Sequence, residues 1–287
     1  MSHDSPTATL LVSCPDQKGI VAAVSAFLYD NGGNIIHADQ HTDLEEQVFL
    51  QRVEWELDGF GLDRDEIAPV FAPIARRFGM DWRVRFSDVR PRLAVFVSRQ
   101  GHCLYDLLAR WSDGELACEI PLIVSNHAEP AAAAEAFGVG FHHLAVTADT
   151  KEAQEAKALE LLVSEDVETV VLARYMQILS PDFVARYPNR LINIHHSFLP
   201  AFTGARPYHQ AHERGVKVIG ATAHYVTGEL DAGPIIAQGV APISHRDSVD
   251  DLVRSGRDLE KVVLARAVRL HLEHRVLVYG NRTVVFD

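Results

Sequence analysis

Apolar residues in the first third of the chain recur at two spacings, which alternate along the sequence. Residues 8–13 form a short apolar run that ends in the turn sequence Cys14-Pro15-Asp16, which is typical of a β-strand. A stretch of helical spacing follows and stops at Gly32-Gly33. The pattern predicts strands over 8–13, 34–42, 47–57 and 82–86, and helices over 20–28 and 67–78. This βαββαβ order predicts a ferredoxin-like domain over residues 1–87.

Two prolines lie within the second predicted helix of this domain. Pro69 fits the first turn, where a missing backbone N–H costs little, but Pro73 lies deeper in the pattern. We therefore expect Pro73 to kink or shorten the helix.

Residues 88–92 form a polar, proline-containing segment, and a different pattern begins after it. Strands are predicted over 93–98, 120–125, 141–146, 169–173 and 191–194, and helices over 104–111 and 151–163. Short apolar strands that alternate with helices indicate a doubly wound, mostly parallel sheet. The sequence therefore predicts an α/β protein with a linker at 88–92 and a second domain over 93–287.

Composition narrows the class of protein. The chain has 287 residues, 47% hydrophobic and 23% charged, which is ordinary for a globular protein of two domains. A formal net charge of -12 disfavours a nucleic-acid partner, because phosphate binding needs a basic face. The three cysteines, Cys14, Cys103 and Cys118, form no CxxC pair, which fits a reducing compartment. Neither a secretory signal nor a membrane-spanning apolar run is visible, so we expect a cytoplasmic protein with no membrane partner.

Candidate chemistry is concentrated at the end of the strand predicted over 191–194. Asn193 and His195 lie there, and open α/β sheets bind ligands beyond the carboxyl ends of their strands. An asparagine amide donates neutral N–H groups to a developing oxyanion, and a histidine moves protons near neutral pH. An aspartate, for which Asp231 is the candidate, would hold the imidazole. These three groups suit acyl transfer to water or to a small molecule without a nucleophilic Ser or Cys.

Each of these residues also has a structural interpretation. Asn193 alone could cap a turn at the strand end, and Asp231 alone could be a turn residue before Gly233-Pro234. The histidines at 196, 209 and 224 suggest a metal site, but the spacing of His196, His209 and His224 matches no ordinary zinc motif, and we predict no metal.

The span from about residue 93 to residue 231 resembles the folate-dependent formyltransferases. Their signature is present as Asn193-Ile194-His195, Leu199-Pro200 and Val226-Thr227, followed by Asp231-Ala232-Gly233-Pro234. The resemblance implies that Asn193 binds the formyl oxygen, that His195 is the acid/base group and that Asp231 supports it. It further implies that two loops bind folate, through Met176, Gln177, Ile178 and Leu179 and through Thr227, Gly228 and Leu230. From the residues alone, the cluster at 176–179 could equally be core.

One loop separates the ribonucleotide formyltransferases of this family from its hydrolases. The enzymes that formylate a ribonucleotide carry a glycine-rich phosphate loop after the first strand of this domain, where backbone N–H groups meet the phosphate. Here the position reads Ser98-Arg99-Gln100-Gly101-His102-Cys103, with one glycine, although Arg99 could still meet a phosphate. This composition favours the hydrolases.

The first domain resembles an ACT domain, a regulatory module that commonly binds an amino acid. Its ligand loop is similar to the segment between the first strand and helix, with Asp16, Lys18 and Gly19. The same residues could simply begin a helix, since glycine permits unusual backbone angles with or without a ligand.

An ACT domain joined to this second domain, together with the segments 95–107 and Gly204-Ala205-Arg206-Pro207-Tyr208-His209, resembles the formyltetrahydrofolate deformylase family over nearly the whole chain. That resemblance implies hydrolysis of 10-formyltetrahydrofolate to tetrahydrofolate and formate, which supplies purine synthesis and balances the one-carbon folate pool. It implies no metal or redox cofactor, an amino-acid effector and a homo-oligomer. A formyltransferase to an amine such as glycinamide ribonucleotide and a non-catalytic folate sensor remain the alternatives.

Overall fold

The computed structural model describes residues 5–200 and 207–287, which form two compact units. The first unit contains residues up to Arg90 together with Glu273–Asp287, and the second contains Pro91–Leu272.

The first unit contains the predicted βαββαβ order. Its elements are β1 (Thr7–Pro15), α1 (Ile20–Asp30), β2 (Ile35–Asp43), β3 (Val48–Glu56), α2 (Arg64–Phe78) and β4 (Asp81–Phe86). The strands form an antiparallel sheet in the order β2-β3-β1-β4. Aromatic rings fill the space between sheet and helices, and the ring centroids of Phe27 and Phe71 lie 5.1 Å apart. The ferredoxin-like prediction is confirmed.

The second helix of this unit is not shortened by its prolines. α2 runs through both Pro69 and Pro73, which lie on its exposed side. Its opposite side buries Ile67, Phe71, Ala75 and Phe78 in the core. Packing of that apolar face outweighs the loss of backbone hydrogen bonds on the solvent side, so the expected shortening at Pro73 was wrong.

The second unit is an α/β domain built on a mixed, mostly parallel sheet. Its elements are β5 (Leu93–Val97), α3 (His102–Ser112), β6 (Leu122–Ser125), α4 (Ala131–Phe137), β7 (Gly140–His143), α5 (Lys151–Ser164), β8 (Thr169–Leu172), α6 (Pro181–Arg186), β9 (Leu191–His195), α7 (Pro207–Arg214), β10 (Val218–Tyr225), β11 (Ile235–Pro242) and α8 (Val249–Leu272). The strand order is β11-β10-β9-β8-β5-β6-β7. β5 to β9 run parallel, whereas β10 is antiparallel to both its neighbours. The doubly wound prediction is confirmed.

The topology decides where a ligand can bind. From β5 the chain builds β6 and β7 on one side and then returns to build β8 and β9 on the other. The strand order therefore reverses between β5 and β8, and a crevice opens at the carboxyl ends of such strands.

The sequence analysis assigned no strand or helix beyond residue 194. The structure adds β10 and β11 to the sheet and packs α8 against β10, β11 and β9. Within the part of the chain that the structure describes, no helix combines the length and apolar character needed to cross a bilayer.

The last residues form a hairpin, β12 (Val276–Tyr279) and β13 (Arg282–Val285), which packs with the first unit. Leu277 and Phe286 share a buried cluster with Leu11 and Leu50 on the side of β1 and β3 away from the helices. The backbone carbonyl of His274 also accepts a hydrogen bond from Arg52 at 3.2 Å. The second domain was predicted to extend to residue 287, and this hairpin corrects that boundary. Its apolar residues match a sheet face that α1 and α2 leave uncovered.

Candidate active site

A cleft of about 600 Å³ opens in the second unit at the carboxyl ends of β8 and β9. Leu172 and Asn193, near the ends of these two strands, both line it. Its position is the one that the reversal of strand order predicts.

Asn193 and His195 point into the cleft from the same strand. Alternate residues of a strand face the same side, so a spacing of two places both side chains together. The imidazole of His195 is buried, and its Nδ1 lies 3.2 Å from Oδ2 of Asp231. A carboxylate only accepts hydrogen bonds, so Nδ1 carries the proton and Nε2 of the neutral ring holds a lone pair. No group among the described residues bonds to that Nε2.

Asp231 reaches the two strands from the loop between β10 and β11. Its backbone is left-handed, with φ of 54°, a conformation that aspartate tolerates better than most residues. The hydrogen bond from His195, together with the contact to His224, holds the pKa of this carboxyl well below its usual range. The group therefore stays ionised throughout the physiological range of pH and favours the tautomer of His195 described above.

The glycine of the Asp-x-Gly-Pro sequence keeps this loop in place. A Cβ on Gly233 would lie 1.8 Å from the backbone oxygen of Tyr225, far inside any permitted contact. The Tyr225 N–H donates to the Pro234 carbonyl at 2.9 Å, which ties the loop back to β10. The close approach of the two backbones requires glycine at this position.

Replacing Gly233 with alanine will displace the loop and move Asp231 away from His195. We expect catalysis to fall by at least about 10²-fold, because misplacement by an ångström has that effect on an oriented group. Initial rates of formyl-group hydrolysis, with the melting temperature measured on the same samples, will test this. Gly228→Ala, in the same loop, is the matched control for the melting temperature, which it should leave unchanged because a Cβ there meets nothing within 4 Å. Unchanged rates in Gly233→Ala would contradict the argument.

His224, for which the sequence disfavours a metal-ligating role, is a residue of the site. It lies opposite Asn193 in the antiparallel pair of β9 and β10, so both side chains share one face. Its Nδ1 donates to the carbonyl of Tyr225 at 2.9 Å, which leaves Nε2 of the neutral ring to accept from Nδ2 of Asn193 at 3.2 Å. Nε2 also lies 3.6 Å from Oδ1 of Asp231. This bond fixes which end of the Asn193 amide faces the cleft.

His196 extends the polar wall beyond His195. The ring centroids of the two histidines lie 5.1 Å apart. Burial, with a smaller contribution from the charge of Arg174, lowers the pKa of His196 to about 4. The ring is therefore neutral at neutral pH.

The protein will lose stability between about pH 6.5 and pH 4 because of His196. In that window the unfolded chain binds a proton at this residue and the folded chain does not, so the free energy of unfolding rises with pH. The effect is on the order of 2 kcal/mol. The free energy of unfolding, measured with urea at pH 5 and at pH 7.5, will differ less between the two pH values in His196→Asn than in the native chain. Replacing the exposed His245 instead should leave the difference intact, and an equal slope in His196→Asn would refute this account.

The predicted folate-binding residues all lie on the cleft wall. Met176, Gln177, Ile178 and Leu179 line one part, and Thr227, Gly228 and Leu230 line another. Met176, Ile178 and Leu230 are 60%, 63% and 68% exposed, which is unusual for large apolar side chains. The interpretation of Met176 and Ile178 as core is therefore wrong. These exposed apolar side chains form a surface suited to an apolar ring of a ligand.

The loop that carries Met176 is held by hydrogen bonds to β5. Its backbone N–H donates to the hydroxyl of Ser98 at 2.9 Å, and that hydroxyl donates to Asn126 at 2.7 Å. The loop is thus positioned before any ligand arrives.

A buried carboxylate occupies the opposite, polar part of the cleft. Glu260 is 1% exposed and accepts from the hydroxyl of Tyr208 at 2.7 Å and from Nε2 of His102 at 2.8 Å. Nε of Arg174 lies 3.4 Å away. Burial alone would raise the pKa of Glu260, but the bond from His102 and the charge of Arg174 hold it below its usual value. Sequence reasoning identified none of these contacts.

Two further groups of predicted residues have different outcomes. Of the segment Gly204-Ala205-Arg206-Pro207-Tyr208-His209, residues 204–206 lie outside the described residues, while Tyr208 and His209 line the cleft. Asp16, Lys18 and Gly19 are exposed in the turn between β1 and α1, where Gly19 adopts a left-handed φ of 97°. Their role as a regulatory site stays a prediction.

Metal-ligating side chains come together at one place among residues 5–200 and 207–287. One donor atom each from His102, Cys103 and Glu260 lies within 4.8 Å of the others. Arg174 and Tyr208 already contact this carboxylate, and burial raises the pKa of the Cys103 thiol. A cation there would have to compete with a guanidinium, so the donor set suits an internal ion pair better than a metal.

Comparison with known proteins defines the class first. The formyl transferase family model matches residues 91–268, and the ACT domain model matches residues 8–71. The protein is therefore an ACT domain joined to a formyl transferase domain.

Full-length relatives then narrow the family. A formyltetrahydrofolate deformylase from Synechocystis sp. is 62% identical over 98% of both chains. The crystal structure of a formyltetrahydrofolate deformylase from Pseudomonas syringae superimposes with a TM-score of 0.98 at 49% identity, covering 100% of this chain and 96% of that one. A glycinamide ribonucleotide transformylase from Symbiobacterium toebii reaches a TM-score of 0.65 at 33% identity, covering 69% of this chain and 95% of its own. The chain belongs to the formyltetrahydrofolate deformylase family.

Proposed function

We propose that this protein hydrolyses 10-formyltetrahydrofolate to tetrahydrofolate and formate. The observation that carries the proposal is the convergence of Asn193, His195 and Asp231 on one cleft, beside exposed apolar residues suited to a pterin ring. A carboxamide, an imidazole and a carboxylate in this arrangement are the groups that hydrolysis of a formyl amide requires.

The first step is attack of water on the formyl carbon. Nε2 of His195 takes a proton from the water as its oxygen bonds to the carbon, and Asp231 stabilises the imidazolium through Nδ1. The formyl oxygen gains negative charge and meets the free N–H of the Asn193 amide. His224 holds that amide by its other N–H, so the donor needs no reorganisation as the charge develops.

The second step is cleavage of the bond between the formyl carbon and N10 of the folate. The leaving nitrogen needs a proton, and the imidazolium of His195 is the group that has just received one. Tetrahydrofolate and formic acid result, and the acid loses its remaining acidic proton to solvent to give formate. Hydrolysis changes no oxidation state, so the mechanism uses no redox cofactor. His195 and Asn193 supply the proton transfer and the charge stabilisation that a metal would otherwise provide.

The decisive experiment is incubation of the purified protein with 10-formyltetrahydrofolate and water alone. Equal amounts of formate and tetrahydrofolate should appear without an amine acceptor. Glycinamide ribonucleotide added to the same mixture should neither raise the rate nor become formylated. Product formation that depends on the ribonucleotide would identify a transferase, and binding without turnover would identify a folate sensor.

The biological setting completes the proposal. We infer a cytoplasmic enzyme that supplies formate for purine synthesis and balances the one-carbon folate pool; the burial of Cys14, Cys103 and Cys118 as thiols supports a reducing compartment. The ACT domain is the site for a small-molecule effector, for which we propose an amino acid near Asp16, Lys18 and Gly19. We also propose a homo-oligomer. Formate release titrated with single amino acids, and mass measured in solution, test these two points.

A further inference from the structure

A line of side chains leads from His195 into the polar part of the cleft. The ring of His196 follows His195, the ring of Tyr208 lies 6.1 Å beyond that of His196, and the Tyr208 hydroxyl meets Glu260. The folate loops occupy the apolar part of the same cleft. If the proposed function holds, the folate enters from the apolar side, and a nucleophile must reach the formyl carbon from the side of Tyr208.

The phenol of Tyr208 fits against a glycine in the middle of α8. A Cβ on Gly256 would lie 2.1 Å from the hydroxyl oxygen and 2.2 Å from the ring carbon that bears it. Glycine inside a long helix is unfavourable relative to alanine. The end of the phenol lies in the space that a side chain at position 256 would occupy.

Both carboxylate oxygens of Glu260 already have partners in the network around Tyr208. One oxygen of Glu260 accepts from Tyr208, and the other accepts from His102 and faces Arg174. Burial and the neighbouring carboxylate raise the pKa of Tyr208, so the phenol keeps its proton and keeps donating. An amine that entered here would have to break a buried hydrogen bond of a charged group, which is unfavourable.

The size of the cleft supports the same conclusion. A volume of about 600 Å³ is within the range for one drug-sized ligand, and the folate is such a ligand. Little space is left for an acceptor of comparable size while Tyr208 stays in place.

We propose that Tyr208 is a specificity-determining residue of this site. Seated against Gly256 and bonded to Glu260, it closes the polar side of the cleft, so water reaches the formyl carbon and larger amines do not. The preference for hydrolysis over transfer is thus a matter of access, while His195 and Asn193 would serve either nucleophile.

Opening the polar side should let a small amine compete with water. In that reaction the nitrogen of the amine bonds to the formyl carbon, the bond from that carbon to N10 breaks, and the proton lost by the amine ends on N10. Tyr208→Leu keeps an apolar side chain next to Gly256 and removes the outer half of the phenol. With glycinamide as the probe amine, the ratio of N-formylglycinamide to formate should rise at least tenfold over that of the native protein.

A second variant displaces the Tyr208 phenol by changing the glycine that it packs against. Gly256→Ala pushes the phenol out of its space and should raise the ratio in the same direction, whereas Val262→Ala, on an exposed position of α8, should not. Tyr208→Phe keeps the ring but removes the bond to Glu260, so its ratio should lie between that of the native protein and that of Tyr208→Leu. A loss of structure alone lowers both products together and leaves their ratio unchanged.

The proposal is overturned if Tyr208→Leu and Gly256→Ala both release formate and both keep the native ratio of N-formylglycinamide to formate. It is also overturned if the folded variants lose both reactions, since Tyr208 would then act in chemistry and not in access. If Tyr208→Leu fails to fold, Gly256→Ala decides. Absence of formate release from the native protein would refute the proposed function instead, and the two failures are thereby distinguished.

Discussion

Replacing His195 with alanine will lower the rate of formate release by about 10²–10⁴-fold and leave folate binding nearly unchanged. The imidazole is the group placed to take the proton of the attacking water, with its Nδ1 held by Asp231 at 3.2 Å. It contributes little to holding the folate, because the exposed apolar side chains of the cleft are elsewhere on its wall. Steady-state formate release and a fluorescence titration with tetrahydrofolate measure the two quantities separately.

A matched histidine provides the control for that substitution. His245 is exposed in the segment before α8, and His245→Ala should release formate at the native rate. Native turnover in His195→Ala would remove the residue from the mechanism. A loss of folate binding as large as the loss of rate would make it a binding group instead.

Replacing Asp231 with asparagine will lower the rate by about 10³–10⁴-fold, the magnitude seen when an acid that orients a catalytic histidine becomes an amide. An amide N–H that faces Nδ1 of His195 favours the tautomer with its proton on Nε2. The lone pair is then lost from the atom that faces the cleft. The same change removes the negative charge that lies 3.6 Å from His224.

The test of this prediction is the rate as a function of pH, measured from pH 5 to pH 9. In the native protein the pKa of Asp231 lies well below its usual range, so the acidic limb of the profile must come from another group. Asp231→Asn should lower the whole profile. Asp149→Asn, which removes an exposed carboxylate, should leave it unchanged. An acidic limb that disappears in Asp231→Asn would show that Asp231 itself titrates in this range.

Asp231 contacts two histidines of the site and, through one of them, influences a third residue. Its two oxygens contact His195 and His224, and His224 in turn holds Asn193. One carboxylate therefore sets the tautomer of the base and supports the residue that orients the oxyanion donor. Effects of substitutions within this group should be far from additive.

Local signals in the sequence determined much of this protein. Alternating and helical spacings of apolar residues predicted the βαββαβ order of the first unit and the parallel strands of the second. The pair Asn193 and His195 could be recognised because both follow one buried strand, and alternate residues of a strand share a face. The exposed residues of the folate loops were found only by resemblance to a family, since their apolar character alone equally fits a core.

Contacts between distant segments were decided only by the tertiary structure. His224 faces Asn193 because β10 pairs with β9 in one register, and Tyr208 meets Glu260 across 52 residues of sequence. The closing hairpin packs against Leu11 and Leu50 from the far end of the chain. The sequence shows which residues are apolar or titratable, but register and packing are collective properties of the folded chain. For that reason the residues Asn193, His195 and Asp231 could be predicted to meet at one site, while the contacts that His224, Tyr208 and Glu260 make around them could not.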